Sequence, residues 1–281
     1  MQLNILERET GQRKLYTSIE RCIYCSQANV PLTEEHIIPY GLAGNSVMFE
    51  RATCRECAEI TSKIERVVLR DCLGDFRTRT DAPTRRKKKR PKVRSVEVLR
   101  VEMSTGRVLG VAATLKLPVE EFPRCFVMPH LPLPKLLMHP DQPEQPAPTT
   151  KPYYDPEEME SFFARHVPRP PPNEGFAFKL GDSNISAFMR MVAKVAHAFA
   201  VGETRGQKFT PLLPKLILGQ ADSFSDLIGC HDEPPLDEAS VFDLRLGRFA
   251  GDKEYLVAGF RLWPSTNAPH YVAVVGSINQ S

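Results

Sequence analysis

The sequence predicts an α+β protein: a small cysteine-stapled N-terminal unit, a proline-rich connector, and a C-terminal α+β domain with an amphipathic helix and antiparallel strands. Three observations carry this. Two C-x-x-C pairs, Cys22/Cys25 and Cys54/Cys57, stand about thirty residues apart. Fifteen of the chain's 25 prolines fall within residues 118–172, a density that prevents a regular helix or central strand. Beyond them, a stripe of apolar residues with helical period precedes three runs of strand character.

In chain order, residues 1–72 form the cysteine unit. Its segment HIIP followed by GLAGN reads as a short strand, a proline stop and a Gly-rich turn. From Cys54 onward, Ile60, Ile64, Val67 and Val68 give one buried helical stripe, with Ala58, Ser62 and Glu65 on the opposite face. Residues 73–117 hold a basic segment and a β-hairpin at about 95–117 around a Ser-Thr-Gly turn. Residues 118–175 are the connector, with one short helix near 156–165. In the C-terminal domain, 176–281, Ile185, Phe188, Met189, Val192, Val195, Ala196 and Phe199 repeat at i, i+3, i+4, i+7 and mark the core face of a helix. The strands VFDLRLGRF, EYLVAGFRLW and HYVAVVGSI follow, the first two joined at Gly251-Asp252 as an antiparallel hairpin.

Composition narrows the classes. Hydrophobic residues make up 42% and charged residues 25% of the chain, as in a soluble globular protein. No apolar run reaches the roughly 18 residues of a membrane span, and the charged N-terminus lacks a signal peptide's apolar core. The expectation is a cytoplasmic protein without a membrane partner. The net charge of +3 hides an asymmetry: residues 1–100 carry 20 Lys/Arg against 13 Asp/Glu, the remainder 17 against 21. The N-terminal third is the part suited to a polyanion.

Seven cysteines in a reducing compartment read as a metal site rather than a disulfide framework. Four thiolates from Cys22, Cys25, Cys54 and Cys57 suit a tetrahedral, structural Zn²⁺, with an Fe–S cluster as the other option. Cys72, Cys125 and Cys230 read as small buried hydrophobes. Between the pairs stands Glu35-His36. Adjacent strand residues point apart, but at a strand end or bulge both can reach one volume. A carboxylate there can hold a hard cation such as Mg²⁺ or Mn²⁺ against a phosphate, and an imidazole can take a proton from an attacking water near neutral pH.

Cys22-x-x-Cys25, Glu35-His36-Ile37-Ile38-Pro39, the turn Gly41–Gly44 and Cys54-x-x-Cys57 at a helix start together resemble the HNH endonuclease family, in particular its four-cysteine, ββα-metal branch. The resemblance covers residues 20–70, about a quarter of the chain. It implies a zinc-stapled ββα-metal unit with one catalytic metal, Glu35 as first metal ligand, His36 as general base, and DNA as substrate. The chain departs from the pattern at Ala58, where many members carry the asparagine that supplies a second metal ligand. Ser62, one turn later on the same helix face, could reach the metal directly or through water, Glu59 is the other nearby oxygen donor, and Asn45 is the nearest candidate for the family's central asparagine.

Eight of the ten residues 85–94 are basic. Arg85, Arg86, Lys87, Lys88, Lys89 and Arg90 could track a phosphate backbone by displacing counterions, and Arg51 and Arg55 lie near the helix start. His197 reads as exposed on the helix's polar side. His231-Asp232-Glu233 could bind metal, yet it precedes Pro234-Pro235 and reads as an ordinary polar loop. His130 and His139 carry no role, and Trp263 reads as packed under the C-terminal sheet. The expected function is metal-dependent phosphodiester hydrolysis, with nucleic acid as partner. The alternatives are a catalytically inactive, zinc-containing nucleic-acid-binding module and a zinc-stabilised protein–protein adaptor.

Overall fold

The computed structural model describes residues 4–139, 146–178, 184–207, 209–237, 240–251 and 253–278. Its elements in chain order are β1 (Asn4–Glu9), β2 (Lys14–Tyr16), β3 (Leu32–His36), α1 (Tyr40–Ala43), β4 (Val47–Cys54), α2 (Arg55–Val67), α3 (Gly74–Arg79), β5 (Val93–Glu102), β6 (Val108–Pro118) and β7 (Cys125–His130). There follow β8 (Thr149–Tyr154), α4 (Pro156–His166), β9 (Glu174–Phe178), α5 (Ile185–Thr204), β10 (Phe209–Pro211), α6 (Pro214–Ile217), β11 (Ile228–His231), β12 (Phe242–Ala250), β13 (Glu254–Leu262) and β14 (His270–Ile278). The protein is mixed α+β, as its sequence predicts.

The largest sheet runs β1-β12-β13-β14-β10, with β11 also paired to β14. β12 and β13 are antiparallel from Phe242↔Leu262 to Ala250↔Glu254, so the expected hairpin forms; Asp252, in its turn, lies outside the described residues. The outer strand β1 comes from the N-terminus and pairs antiparallel with β12. A second sheet, β2-β4-β3, carries the cysteine unit, and the hairpin β5–β6 accepts β9 as a third strand.

Helix α5 joins these layers. It packs on α2 on one side and on β13 and β14 on the other, and Met191–Val201 is buried without interruption. A helix covered on both sides needs apolar residues all round, and MVAKVAHAFAV has only Lys194 and His197 as exceptions. By length and composition α5 could cross a membrane, yet 78% of its most apolar 18-residue window is buried within the fold. Along Met191–Val201 the expected exposed polar side is absent. His197 is fully buried, its Nε2 2.7 Å from the Ile23 carbonyl, and burial lowers its pKa to about 4 against the opposing effect of that hydrogen bond.

One hydrophobic core runs from Cys22, Ile37 and Phe49 through α5 to Phe260 and Val275, across the boundary expected at 118–175. That region also holds more structure than its prolines suggest. β7 and β8 pair antiparallel, with Pro129 opposite Thr150 and Pro152 opposite Val127. A two-stranded ladder leaves each strand one free edge, where a residue without an N–H is tolerated. The expected short helix is α4, started by Asp155, whose carboxylate accepts from the amides of Glu157 and Glu158.

Candidate metal and phosphodiester site

The cysteine unit is built on β4. Cys22 and Cys25 lie in a tight turn, with the Ser26 amide donating to the Cys22 carbonyl at 2.9 Å and the Ile23 amide to Ala52 on β4 at 2.9 Å. Cys54 ends β4 and caps α2; Cys57 lies in the first turn of that helix. The four sulfurs fall within 4.8 Å of one another. A zinc ion about 2.3 Å from four sulfurs holds them about 3.8 Å apart, and Cys25 Sγ and Cys54 Sγ are separated by 3.7 Å. Burial opposes charge on the Cys22 sulfur, but the backbone amides of Cys25, Cys54 and Tyr24 outweigh it and lower its pKa. The cluster could therefore bind zinc. Cys125 and Cys230 are buried as expected, and Cys72 is half-buried.

β3 and β4 are antiparallel, with Leu32 opposite Cys54 and His36 opposite Met48, and α2 follows directly. This is a strand–strand–helix unit closed by the cysteines. The strand is Leu32–His36 rather than HIIP. Ile37 and Ile38 instead enter the core, and Pro39 precedes the single turn α1. Gly41 in that turn lets the Arg77 guanidinium approach closely, since a Cβ would meet Arg77 Nη2 at 2.6 Å and Leu69 Cδ1 at 2.9 Å and push those side-chain ends aside.

Glu35 and His36 point to opposite sides. Glu35 is 5% exposed. Its Oε1 accepts from Tyr24 Oη at 3.1 Å, its Oε2 accepts from Thr53 Oγ1 at 2.8 Å, and Lys194 Nζ lies 2.6 Å from Oε1. Lys194, from α5, also pairs with Glu65 at 2.8 Å and donates to the carbonyls of His36 and Ile37. Burial works against the Lys194 charge, but the two carboxylates outweigh it and raise its pKa above the ordinary lysine value. Glu65 thus turns inward, contrary to the expected exposed face; burial raises its pKa and Lys194 opposes that rise.

His36 is half-exposed, its Nε2 2.9 Å from Asn45 Oδ1. Tyr40 packs edge-on to its ring at 5.6 Å, and the Arg85 guanidinium lies 5.0 Å from the Tyr40 ring centroid. Arg77 binds this corner together by donating to the carbonyls of Gly41, Leu69 and Pro83. A groove of 280 Å³ lined by Gly11, Arg13, Ala43, Asn45 and Ser46 opens beside it.

The other expected residues do not converge on Glu35. Glu59 pairs with Arg55 at 3.2 Å on the exposed side of α2, Ser62 is exposed, and Arg51 pairs with Glu20 at 3.2 Å. Among the described residues, the groups of three or more His, Cys, Asp or Glu poised to share an ion are the four cysteines and His231/Glu233/His270. A catalytic Mg²⁺ or Mn²⁺ at Glu35 does not fit this arrangement, because an ammonium and two hydroxyls already satisfy its carboxylate. Of the basic run, Arg85 to Lys89 are exposed, while Arg90 is tied to Asp81 and the Ala82 carbonyl.

Sequence reasoning missed Lys194, Arg77 and Tyr40. The signal for Lys194 was the near-absence of polar residues around it, which marks a helix with no solvent face. Trp263 packs against the common core, its ring 4.2 Å from Phe76 and 4.8 Å from Phe126. No protein-family model, curated protein or solved structure matches the chain.

Proposed function

We propose that the chain is an HNH-like endonuclease whose zinc-stapled strand–strand–helix unit acts on the phosphodiester backbone of nucleic acid, with DNA the first substrate to test. The observation that supports this reading is the exposed His36–Asn45 pair at the end of β3, beside Tyr40 and Arg85. With Asn45 Oδ1 accepting from Nε2–H, the neutral imidazole carries its lone pair on Nδ1. That nitrogen takes a proton from water as the water oxygen attacks phosphorus and the bond to the leaving oxygen breaks, the leaving oxygen taking its proton from solvent. Arg85 and the exposed lysines after it supply positive charge for the phosphates. Zn²⁺ on Cys22, Cys25, Cys54 and Cys57 has a structural part, since four sulfurs leave no open position.

The Glu35–Lys194 pair and Ala58 favour a second reading, a catalytically inactive nucleic-acid-binding module. Nicking of supercoiled plasmid, with and without added Mg²⁺ or Mn²⁺, separates the two. The enzyme reading expects wild-type cleavage and a loss of about 10²-fold or more in His36→Ala. Absence of cleavage by both proteins, with equal and salt-sensitive DNA binding, would replace it by the second.

A further inference from the structure

We propose that His231, Glu233 and His270 form a second metal site, for a divalent first-row transition ion, independent of the nucleic-acid reading. His231 and His270 stand directly opposite each other on β11 and β14, their rings stacked with centroids 5.2 Å apart. Glu233 follows β11 and closes the third side: Oε1 lies 2.9 Å from His231 Nε2 and 2.9 Å from His270 Nδ1. Each His–Glu pair, 2.9 Å apart, subtends about 90° at a metal about 2.1 Å from both atoms, the angle between neighbouring octahedral ligands, and the three ligand atoms lie within 4.8 Å of one another. Two imidazoles and a carboxylate with open positions are a donor set suited to such ions.

The second observation is the state of His270. Its side chain is 4% exposed, yet neither ring nitrogen makes a hydrogen bond, because Nδ1 approaches Glu233 without hydrogen-bond geometry. A buried imidazole with no hydrogen bond is costly, and His270 Nδ1 meeting a carboxylate oxygen at 2.9 Å without bonding it leaves room for a shared third centre. His231 Nε2 does hydrogen-bond Glu233 Oε1, a bond that the ion would replace. Gly259 makes room for the ring, since a Cβ there would meet His270 Nε2 at 2.3 Å.

The neighbouring cations orient the carboxylate. Arg245 reaches Glu233 Oε1 at 3.0 Å, but its charge is already met by the buried Asp243 at 2.6 Å. Arg261 donates to the carbonyls of Glu233, Pro234 and Thr266 and holds the segment in place, 3.8 Å from Glu233 Oε2. The Arg245 hydrogen bond to the carboxylate is the kind of outer support that ligating carboxylates usually receive. Glu233 also lines a cavity of 1150 Å³ with Trp263, Tyr153 and Asp232, which gives the ion a route from solvent.

Titration of the full chain with Co²⁺ tests this, because thiolate-bound and nitrogen/oxygen-bound cobalt absorb differently. The wild type is expected to take up one ion per chain without the thiolate signature, in addition to any bound by the cysteines. Glu233→Gln, which keeps size, and His231→Ala, at a partly exposed position, are each expected to lose that equivalent and leave the thiolate signal unchanged. A wild type with thiolate-bound cobalt only, or with no bound cobalt, would overturn the proposal, as would variants that retain the second equivalent.

Discussion

Lys194 sits 1% exposed between Glu35 and Glu65. Removing it would leave two buried carboxylates facing each other, so Lys194→Met is expected to cost about 3–5 kcal/mol in urea unfolding. Adding Glu35→Gln should recover part of that loss, because the remaining carboxylate is then alone; equal stability of single and double variants would show that the pair is not coupled. His197, on the same helix, carries a pH dependence. Its folded pKa, about 4, lies below the unfolded value near 6.5. Its contribution is therefore complete above about pH 6.5 and is lost as pH falls toward 4, amounting to about 3 kcal/mol. His197→Gln keeps a donor for Ile23 but cannot titrate. It is expected to flatten the stability profile across that window, and an unchanged slope would place the titration elsewhere.

Among the elements, the strand–strand–helix unit depends most on a single residue. Cys54 ends β4, caps α2 and contributes one sulfur. With zinc bound, the metal adds folding free energy to a unit of about fifty residues that otherwise relies on the core it shares with α5 and the C-terminal sheet. Cys54→Ala is expected to release the zinc and loosen β3, β4 and α2, seen as lost metal content and lost amide protection. Full zinc content with unchanged protection would remove the four-cysteine centre. The hairpin β5–β6, the helices α2, α4 and α5 and the strands β12 to β14 were legible because period, turn residues and caps are local signals. The pair β7–β8 was not, since proline is excluded from a central strand but not from a free edge.

For the molecule as a whole, the sequence pattern divides the chain at the prolines, while the core ignores that division. β1 lies at the edge of the C-terminal sheet, and α2 packs on α5. The amino-acid pattern alone settled the α+β class, the cysteine quartet and the main helices and strands, because spacing and periodicity are properties of neighbours along the chain. It also named His36 and Asn45, whose pairing the fold supplies at 2.9 Å. Only tertiary structure decided that Glu35 faces a lysine 159 residues away, that His197 is buried, and that His231 and His270 meet on paired strands. Those outcomes depend on which faces α5 and β14 cover, and burial on two sides at once leaves no periodic trace from which a sequence can show its partners.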